Sequence, residues 1–440
     1  MGRRTRDGNA HFSPLFIASD LFLTFSSFFT ARRSREHETS LSLPKRPFLR
    51  RKIRNRTGGA RQIDSPDGFT TTVYESIHDL DRRQWDQITG ANALVRSHDY
   101  LAAIEAASIN DCKYFYPVVL DKTGALVGHA CVYTITTDFS QLLPKHVKSI
   151  AYLVRRLWPK FLRFKVTECA SPMTASHGIS ILAGKDSATI IREIGRAIEK
   201  IAESQCSNLV VIRDFLTHER EIFDSLLDDD FNVVSNMPLA RIRVRWSSYE
   251  EYLSSMRSKY RKDVKRRLLR ARRAGQEVCT VTSFGDNSKQ WVEQSRTVFE
   301  KTKGFKREVL GCGYYEHMDR QLGERSVLVA AKRDQRFVAH GMILHDDVDT
   351  IATYFGRDRG PASQEWFQLV NEVIRIGIER KSNYVNLGLG SYDAKTNVGA
   401  DVEPLYVYSK STIAFVNWLM KLFRGTMEYP IDNAKRVFHE

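Results

Sequence analysis

One stretch limits the fold more than any other: residues 253–275, LSSMRSKYRKDVKRRLLRARRAG. Leu253, Met256, Tyr260, Val264, Leu268 and Ala271 recur every three or four residues, so an α-helix gathers them into one apolar stripe. Ten Lys/Arg between Arg257 and Arg273 fill the remaining surface against one acid, Asp263. Gly275 stands where a helix stop is expected, and QEVCTVTS after it reads as a strand. Such a helix must lay its stripe on a core and turn its cationic side outward. That side reads either as a solvated surface or as a cradle for a polyanion, such as a coenzyme A diphosphate, a nucleotide-sugar pyrophosphate or RNA.

The rest of the chain supplies the core. From Phe69, TTTVYESI reads as a strand, HDLDRRQWDQITG and SHDYLAAIEAAS as helices, the second capped by Ser97. KYFYPVVLDKTGALVGHACVYTITT reads as a hairpin. Phe139–Leu182, interrupted by prolines, resists assignment. Ile190, Ile191, Ile194, Ala197, Ile198 and Ile201 mark a helix, followed by the strand NLVVIRDF, a helix and the strand FNVVSNM. The second half repeats this logic: strand ARIRVRW, the basic helix, a helix over 287–303, the hairpin SVLVAAKRDQRFVAHGMILHDD and the strand DTIATYFG. A helix with Trp366, Phe367, Val370, Ile374 and Ile378 inward, the strand NYVNLGLG, PLYVYSK and STIAFVNWLMKLFRG complete it. The expectation is an α/β chain of mixed sheets in two lobes, 69–238 and 239–440.

Residues 1–68 read differently, as a basic leader and linker without a fold of their own. Residues 1–62 hold 14 Lys/Arg and 4 acids, so ten of the fifteen net positive charges lie there. Overall basicity therefore does not mark the folded part as nucleic-acid binding. The run HFSPLFIASDLFLTFSSFF is short and contains Asp20, so no transmembrane span is expected. A non-native or disordered leader, an organelle transit peptide and an interfacial anchor stay open for it. Six scattered cysteines without a C-x-x-C pair point to reduced thiols in a cytoplasmic setting, and no H-E-x-x-H or similar pattern calls for a metal.

Lys259-Tyr260-Arg261, Val264-Lys265-Arg266, Leu268 and then Gly275 with Val278 resemble the second half of the FemAB-like branch of the GNAT acyltransferase superfamily. The resemblance covers roughly residues 69–425 and implies tandem GNAT-like lobes. It implies transfer of an acyl or aminoacyl group to an amine bound between them. Arg357-Asp358-Arg359-Gly360-Pro361-Ala362 is similar to the GNAT R-x-x-G-x-A turn between a strand and a helix. That turn implies an anion site at a helix N-terminus for the coenzyme pyrophosphate, although Pro361 removes one N–H. The plain alternative is a turn capped by Ser363.

Asn386-Leu387-Gly388-Leu389-Gly390-Ser391-Tyr392-Asp393-Ala394-Lys395 resembles the strand-end motif of the same proteins. It implies Tyr392 as proton donor to a departing thiolate and Lys395 as a holder of a substrate carboxylate or phosphate. Otherwise it is a Gly-rich turn. His340, in the apolar strand AHGMIL, is a candidate amine-deprotonating base or a core histidine, with Glu365 and Asp393 as rivals. Arg266 and Arg270 are candidate anion contacts on the basic helix. Tyr100, after the Ser97 cap, is a candidate acceptor contact. No G-x-S-x-G elbow or Ser–His–Asp pattern appears.

The reaction expected is direct attack of an amine on an acyl thioester, with acyl-CoA as co-substrate and no tightly bound cofactor. The acceptor is a small or cell-envelope amine. Nucleic acid enters only as tRNA, in an aminoacyl-tRNA-dependent peptidoglycan-type variant, or through the basic leader. The rival from another class is a degenerate acyltransferase fold that binds RNA or an anionic membrane.

Overall fold

The computed structural model describes residues 61–64, 68–90, 93–142, 145–302, 307–360, 364–422, 424 and 435–439. The leader up to residue 60 and Ala362 lie outside them.

In the first half, β1 (Arg61–Asp64) and β2 (Thr70–Tyr74) lead to α1 (Arg82–Thr89) and α2 (His98–Ala107). Ser97 caps α2 as expected, its side chain accepting from the Tyr100 N–H. The expected hairpin is three strands, β3 (Lys113–Leu120), β4 (Leu126–Ala130) and β5 (Val132–Asp138), because the second apolar run breaks at Cys131. The unassigned segment contains α3 (Lys145–Val154), β6 (Arg163–Cys169) and β7 (Ile179–Ile181). Then come α4 (Ser187–Ser204), β8 (Leu209–Leu216), α5 (Arg220–Phe223) and β9 (Asn232–Arg243). FNVVSNM and ARIRVRW are thus one continuous strand, and the 238/239 junction falls inside it.

The second half runs α6 (Tyr249–Ser255), α7 (Ser258–Arg273), β10 (Gln276–Val281), α8 (Ser288–Lys301), α9 (Cys312–Leu322), β11 (Ser326–Arg333), β12 (Arg336–His345) and β13 (Asp349–Arg357). It ends with α10 (Glu365–Glu379), β14 (Tyr384–Gly388), α11 (Tyr392–Thr396), β15 (Asp401–Ser411) and α12 (Ala414–Leu422). The basic stretch is two helices rather than one. Met256 leaves the helical conformation and bridges to Phe438, and α7 starts afresh at Ser258. Its stripe is as read: Val264 and Ala271 are buried, with Tyr260 and Leu268 packed on the same core.

The strands form one mixed sheet in which β15 lies between β8 and β9. The last strand of the chain therefore completes the first half's sheet. Each half carries a parallel β–α–β pair: β6 and β8 around α4, β13 and β14 around α10. This is the expected α/β class, built as two halves. A shared core seals them, since residues from Ile77 to Met173 and from Phe284 to Leu344 form one apolar cluster. There α2 crosses α9 so closely that a Cβ on Gly313 would sit 3.4 Å from the Ala107 backbone.

Candidate active site between the two lobes

The second lobe's parallel pair opens as it runs. β13 and β14 pair only from Asp349–Tyr384 to Ile351–Asn386. Asp349 pins the start, accepting from the Tyr384 N–H and the Asn386 amide, both at 3.1 Å. β14 stops at Gly388 while β13 continues to Arg357, so roughly 20 Å of β13 edge extends past the last pair at about 3.3 Å per residue. A bulge lies on this stretch. Gly341 faces Phe355 and Ile343 faces Ala352, so Met342 alone opposes both Thr353 and Tyr354. A bulge takes backbone polar groups out of the ladder and re-aims them, which is what a developing oxyanion needs.

The turn after β13 is ringed with cations. Lys301 Nζ and the Arg357 guanidinium both donate to the Gly360 carbonyl, at 3.3 and 3.4 Å. Arg359 is exposed beside Glu300. α10 begins just beyond, and among the described residues no side chain caps its first N–H groups; a helix start carries partial positive charge. The C-terminal half of α7 comes to the same place. Arg267 lies over the Phe367 ring at 5.1 Å, and Gln276 donates to Glu365 at 3.1 Å. Arg357, Arg359 and Gly360 are thus brought together, joined by Lys301 and Arg267, which the sequence reading did not single out. Glu365 is buried and held by Gln276 and Arg333, away from a base's role.

At the end of β14 the chain turns through Gly388, Gly390 and Ser391, all with positive φ, where glycine is favoured. This delivers α11. The Tyr392 hydroxyl donates to the Pro238 carbonyl on β9 at 2.8 Å. Lys395 folds back beneath the turn, donating to the Gly388 and Leu389 carbonyls at 3.0 and 2.9 Å. Its ammonium is buried and its pKa is pushed down to about 7 by that burial. The expectation that Lys395 reaches out to a substrate anion is corrected accordingly: its donors already hold the loop. Asp393 points outward and pairs with Lys435, away from a base's role in the opening.

The first lobe's counterpart was missed by the sequence reading. β6 and β8 pair from Val166–Leu209 to Cys169–Ile212. Beyond that, β8 bulges against β15 at Asp214, whose φ is 73°. This end is filled by charge. Glu168 accepts from Arg213 at 2.9 Å, from the Tyr133 hydroxyl at 2.8 Å, and from Arg307 of the other lobe. Burial raises the Glu168 pKa, but Arg307 and Arg213 outweigh it and hold it at about 2. Asp214 pairs with Arg213 and accepts from Asn236 at 3.0 Å, and burial still raises its pKa. Two residues along β9, Pro238 receives Tyr392, so the two strand ends meet across this strand. Tyr354, at the β13 bulge, reaches Met173 of the first lobe at 3.8 Å. A signal did exist: two adjacent charges inside the apolar run NLVVIRDF must be paired.

Other candidates lie elsewhere. His340 is fully buried, with Nδ1 at 2.8 Å from Gln294 and Nε2 at 2.9 Å from the Tyr315 hydroxyl. Burial pushes its pKa down to about 3. It is a core hydrogen-bonding residue wedged where Gly356 leaves no room for a Cβ, not a base open to an amine. Tyr100 is likewise buried, donating to the Pro172 carbonyl at 2.5 Å. Arg266 and Arg270 are exposed on α7, Arg266 paired with Asp263. Among the described residues no group of three or more His, Cys, Asp or Glu could hold a metal ion. No helix among them is long and apolar enough to cross a membrane.

Residues 76–376 match the family model for FemAB-like proteins of peptidoglycan biosynthesis/recognition. The chain belongs to this family, which supports acyl or aminoacyl transfer as its class of reaction. It is also 23% identical over 323 residues to a putative 8-amino-7-oxononanoate synthase 2 of Mycobacterium tuberculosis, covering 72% of this chain and 42% of that protein. The chain thus spans about two fifths of the length of these curated relatives. Among solved structures, FemX aligns at TM-score 0.49 and 10% identity over 78% of this chain and 98% of that one. A tandem GNAT protein from the clavulanic acid pathway aligns at TM-score 0.44 and 10% identity, again over 78% and 98%.

Proposed function

We propose that the protein is an N-acyltransferase that moves an acyl group from an acyl thioester, an acyl-CoA, to an amine held between the lobes. The observation that carries this reading is the opening of β13 from β14 past Ile351–Asn386, with a bulge at Thr353–Tyr354 in the β12–β13 ladder at the same level, beside a cation-ringed turn. A thioester laid along the β13 edge has its carbonyl at the bulge and its diphosphate near Arg357, Arg359 and the start of α10. The deprotonated amine attacks the acyl carbon directly. Backbone N–H groups of the bulge hold the oxyanion, and the C–S bond breaks as the carbonyl re-forms. The thiolate leaves with a proton from Tyr392, whose hydroxyl rests on the Pro238 carbonyl beside the opening. The amine's own proton passes to solvent. No covalent enzyme intermediate is required.

The exposed arginines of α7 at the same helix end favour a second donor, an aminoacyl-tRNA, and the family description points to a cell-envelope acceptor. Thermal-shift titration with acetyl-CoA, longer acyl-CoAs and a charged tRNA tests the donor, since a specific binder raises the melting point by mass action. A shift with an acyl-CoA that Arg357→Ala weakens is expected. No shift with any thioester, alongside one with charged tRNA, would replace the donor while keeping the reaction.

A further inference from the structure

Tyr100, Tyr116, Tyr133, Tyr252, Tyr315 and Tyr408 are buried, and each places its hydroxyl 2.5–3.0 Å from an oxygen. Tyr314 does not. It is 0% exposed, and among the described residues its hydroxyl meets no hydrogen-bond partner. A buried hydroxyl left unanswered costs stability, so its persistence asks for a reason.

Its neighbourhood is the β13 bulge. Tyr314 lies in the first turn of α9, and its ring meets that of Tyr354 edge-on at 5.9 Å. The Thr353 hydroxyl is near enough to act on it, opposing the upward pull of burial on its pKa. Thr353 itself donates elsewhere, to the Met342 carbonyl at 3.3 Å. The bulge also turns Tyr354 this way. Ala352 and Phe355 pack on the α10 side of the sheet, whereas Ile351 and Tyr354 pack on the core shared by the two halves. Strict alternation would put Tyr354 on the side of Ala352, and the extra residue of the bulge reverses it. Among the described residues the Tyr354 hydroxyl finds a thioether, Met173 Sδ at 3.8 Å, a weak acceptor. Two phenols, one unanswered and one weakly answered, thus lie side by side at one level of β13. Burial keeps both protonated. As donors they call for an acceptor oxygen, which a cation or an apolar group does not offer.

We propose that the Tyr314 hydroxyl donates a hydrogen bond to the acyl oxygen of the donor substrate, joining the N–H groups of the bulge, with Tyr354 beside it. The role rests on the reading of this opening as the site of transfer. Neither phenol gives up its proton. The hydrogen bond strengthens as the attacked carbonyl oxygen gains charge and weakens when the C=O bond re-forms. A donor fixed in place and unanswered in the free protein needs no rearrangement at that moment. The same oxygen occurs in a thioester and in an aminoacyl ester, so the role holds for either donor.

The test reads stability and turnover together. Tyr314→Phe removes an unanswered buried hydroxyl, so the melting temperature should rise by about 1–3 °C. The single-turnover rate should fall about 10²-fold, with donor affinity little changed. Tyr315→Phe is the control one residue along. Its hydroxyl is held by Ser295 at 2.6 Å and His340 at 2.9 Å, so this variant should lose stability and keep the rate. The donor is acetyl-CoA or charged tRNA, whichever raises the melting point of the full chain. A wild-type rate in Tyr314→Phe would overturn the role. So would a lowered melting temperature, which would show that the hydroxyl is answered within the fold. Transfer by the wild type from neither donor would overturn the reading of the reaction, and this role with it.

Discussion

The two parallel strand pairs are built alike and end differently. Each joins two parallel strands through a helix, and each has a β-bulge just past its last pair. In the first lobe the bulge carries Asp214, and the end is plugged by Glu168, Arg213, Tyr133 and Arg307, every charge answered by a partner. In the second the bulge carries Thr353 and Tyr354, and the strand edge runs on toward a turn with Lys301, Arg357 and Arg359 around it. The same opening thus serves two ends. Filled with matched charge it joins one half to the other; in the second half β13 runs on past its last pair with β14, with cations at its end.

Four experiments bear on this contrast. The largest effect is expected at the plug. Glu168→Gln strips the buried arginines of their shared carboxylate and should destabilise by about 3–5 kcal/mol, read by urea denaturation. A loss below about 1 kcal/mol would mean that the first lobe's end is not a fastening, and the contrast would fail.

At the open end, Tyr392→Phe keeps the ring and removes its proton. Turnover should fall roughly 10²-fold, about 2.7 kcal/mol on the barrier, with at most about 1.5 kcal/mol lost in stability from the hydrogen bond to Pro238. Single-turnover transfer at wild-type rate would leave Tyr392 as a structural anchor.

The pH dependence of stability isolates Lys395. Its pKa is about 7 folded and about 10.4 unfolded. Between these values the unfolded chain binds the extra proton, so this group's contribution to stability rises with pH. The cost of burying the ammonium is full below about pH 7 and gone above about pH 10. Wild type relative to Lys395→Met should gain roughly 2–3 kcal/mol from about pH 6 to about pH 9. A flat difference would show that the two carbonyls keep the ammonium charged throughout.

The smallest effect is on the donor. Arg357→Ala with Arg359→Ala should raise KM for the thioester about 10-fold with kcat little changed, the signature of binding lost equally in ground and transition states. Arg266→Ala, exposed on α7, should alter stability by less than about 0.5 kcal/mol. If Arg266→Ala raises KM as much as the Arg357 pair does, the anion lies along α7 rather than at the start of α10.

The sequence by itself determined which faces are buried and where chains turn. The 3.6-residue stripe of Val264 and Ala271, the cap at Ser97, the strand-to-glycine turn at Gly388–Gly390 and the strand, helix and strand of the second half's β–α–β unit were legible, because each depends on neighbours a few residues away, whereas β6 of the first half's unit was not. Periodicity says that a side chain is inside; it does not say what it meets there. His340 and Tyr100 looked available because a strand and a helix start can face a cleft, and both turned out to face the core. Tertiary structure alone decided that β9 runs unbroken through the expected junction and that β15 crosses into the first half's sheet. It alone set Arg307 on Glu168, 139 residues apart in the chain. Long-range charge pairing and strand order leave no periodic trace in sequence, because the partner that makes a buried charge tolerable is chosen by the fold and not by local spacing.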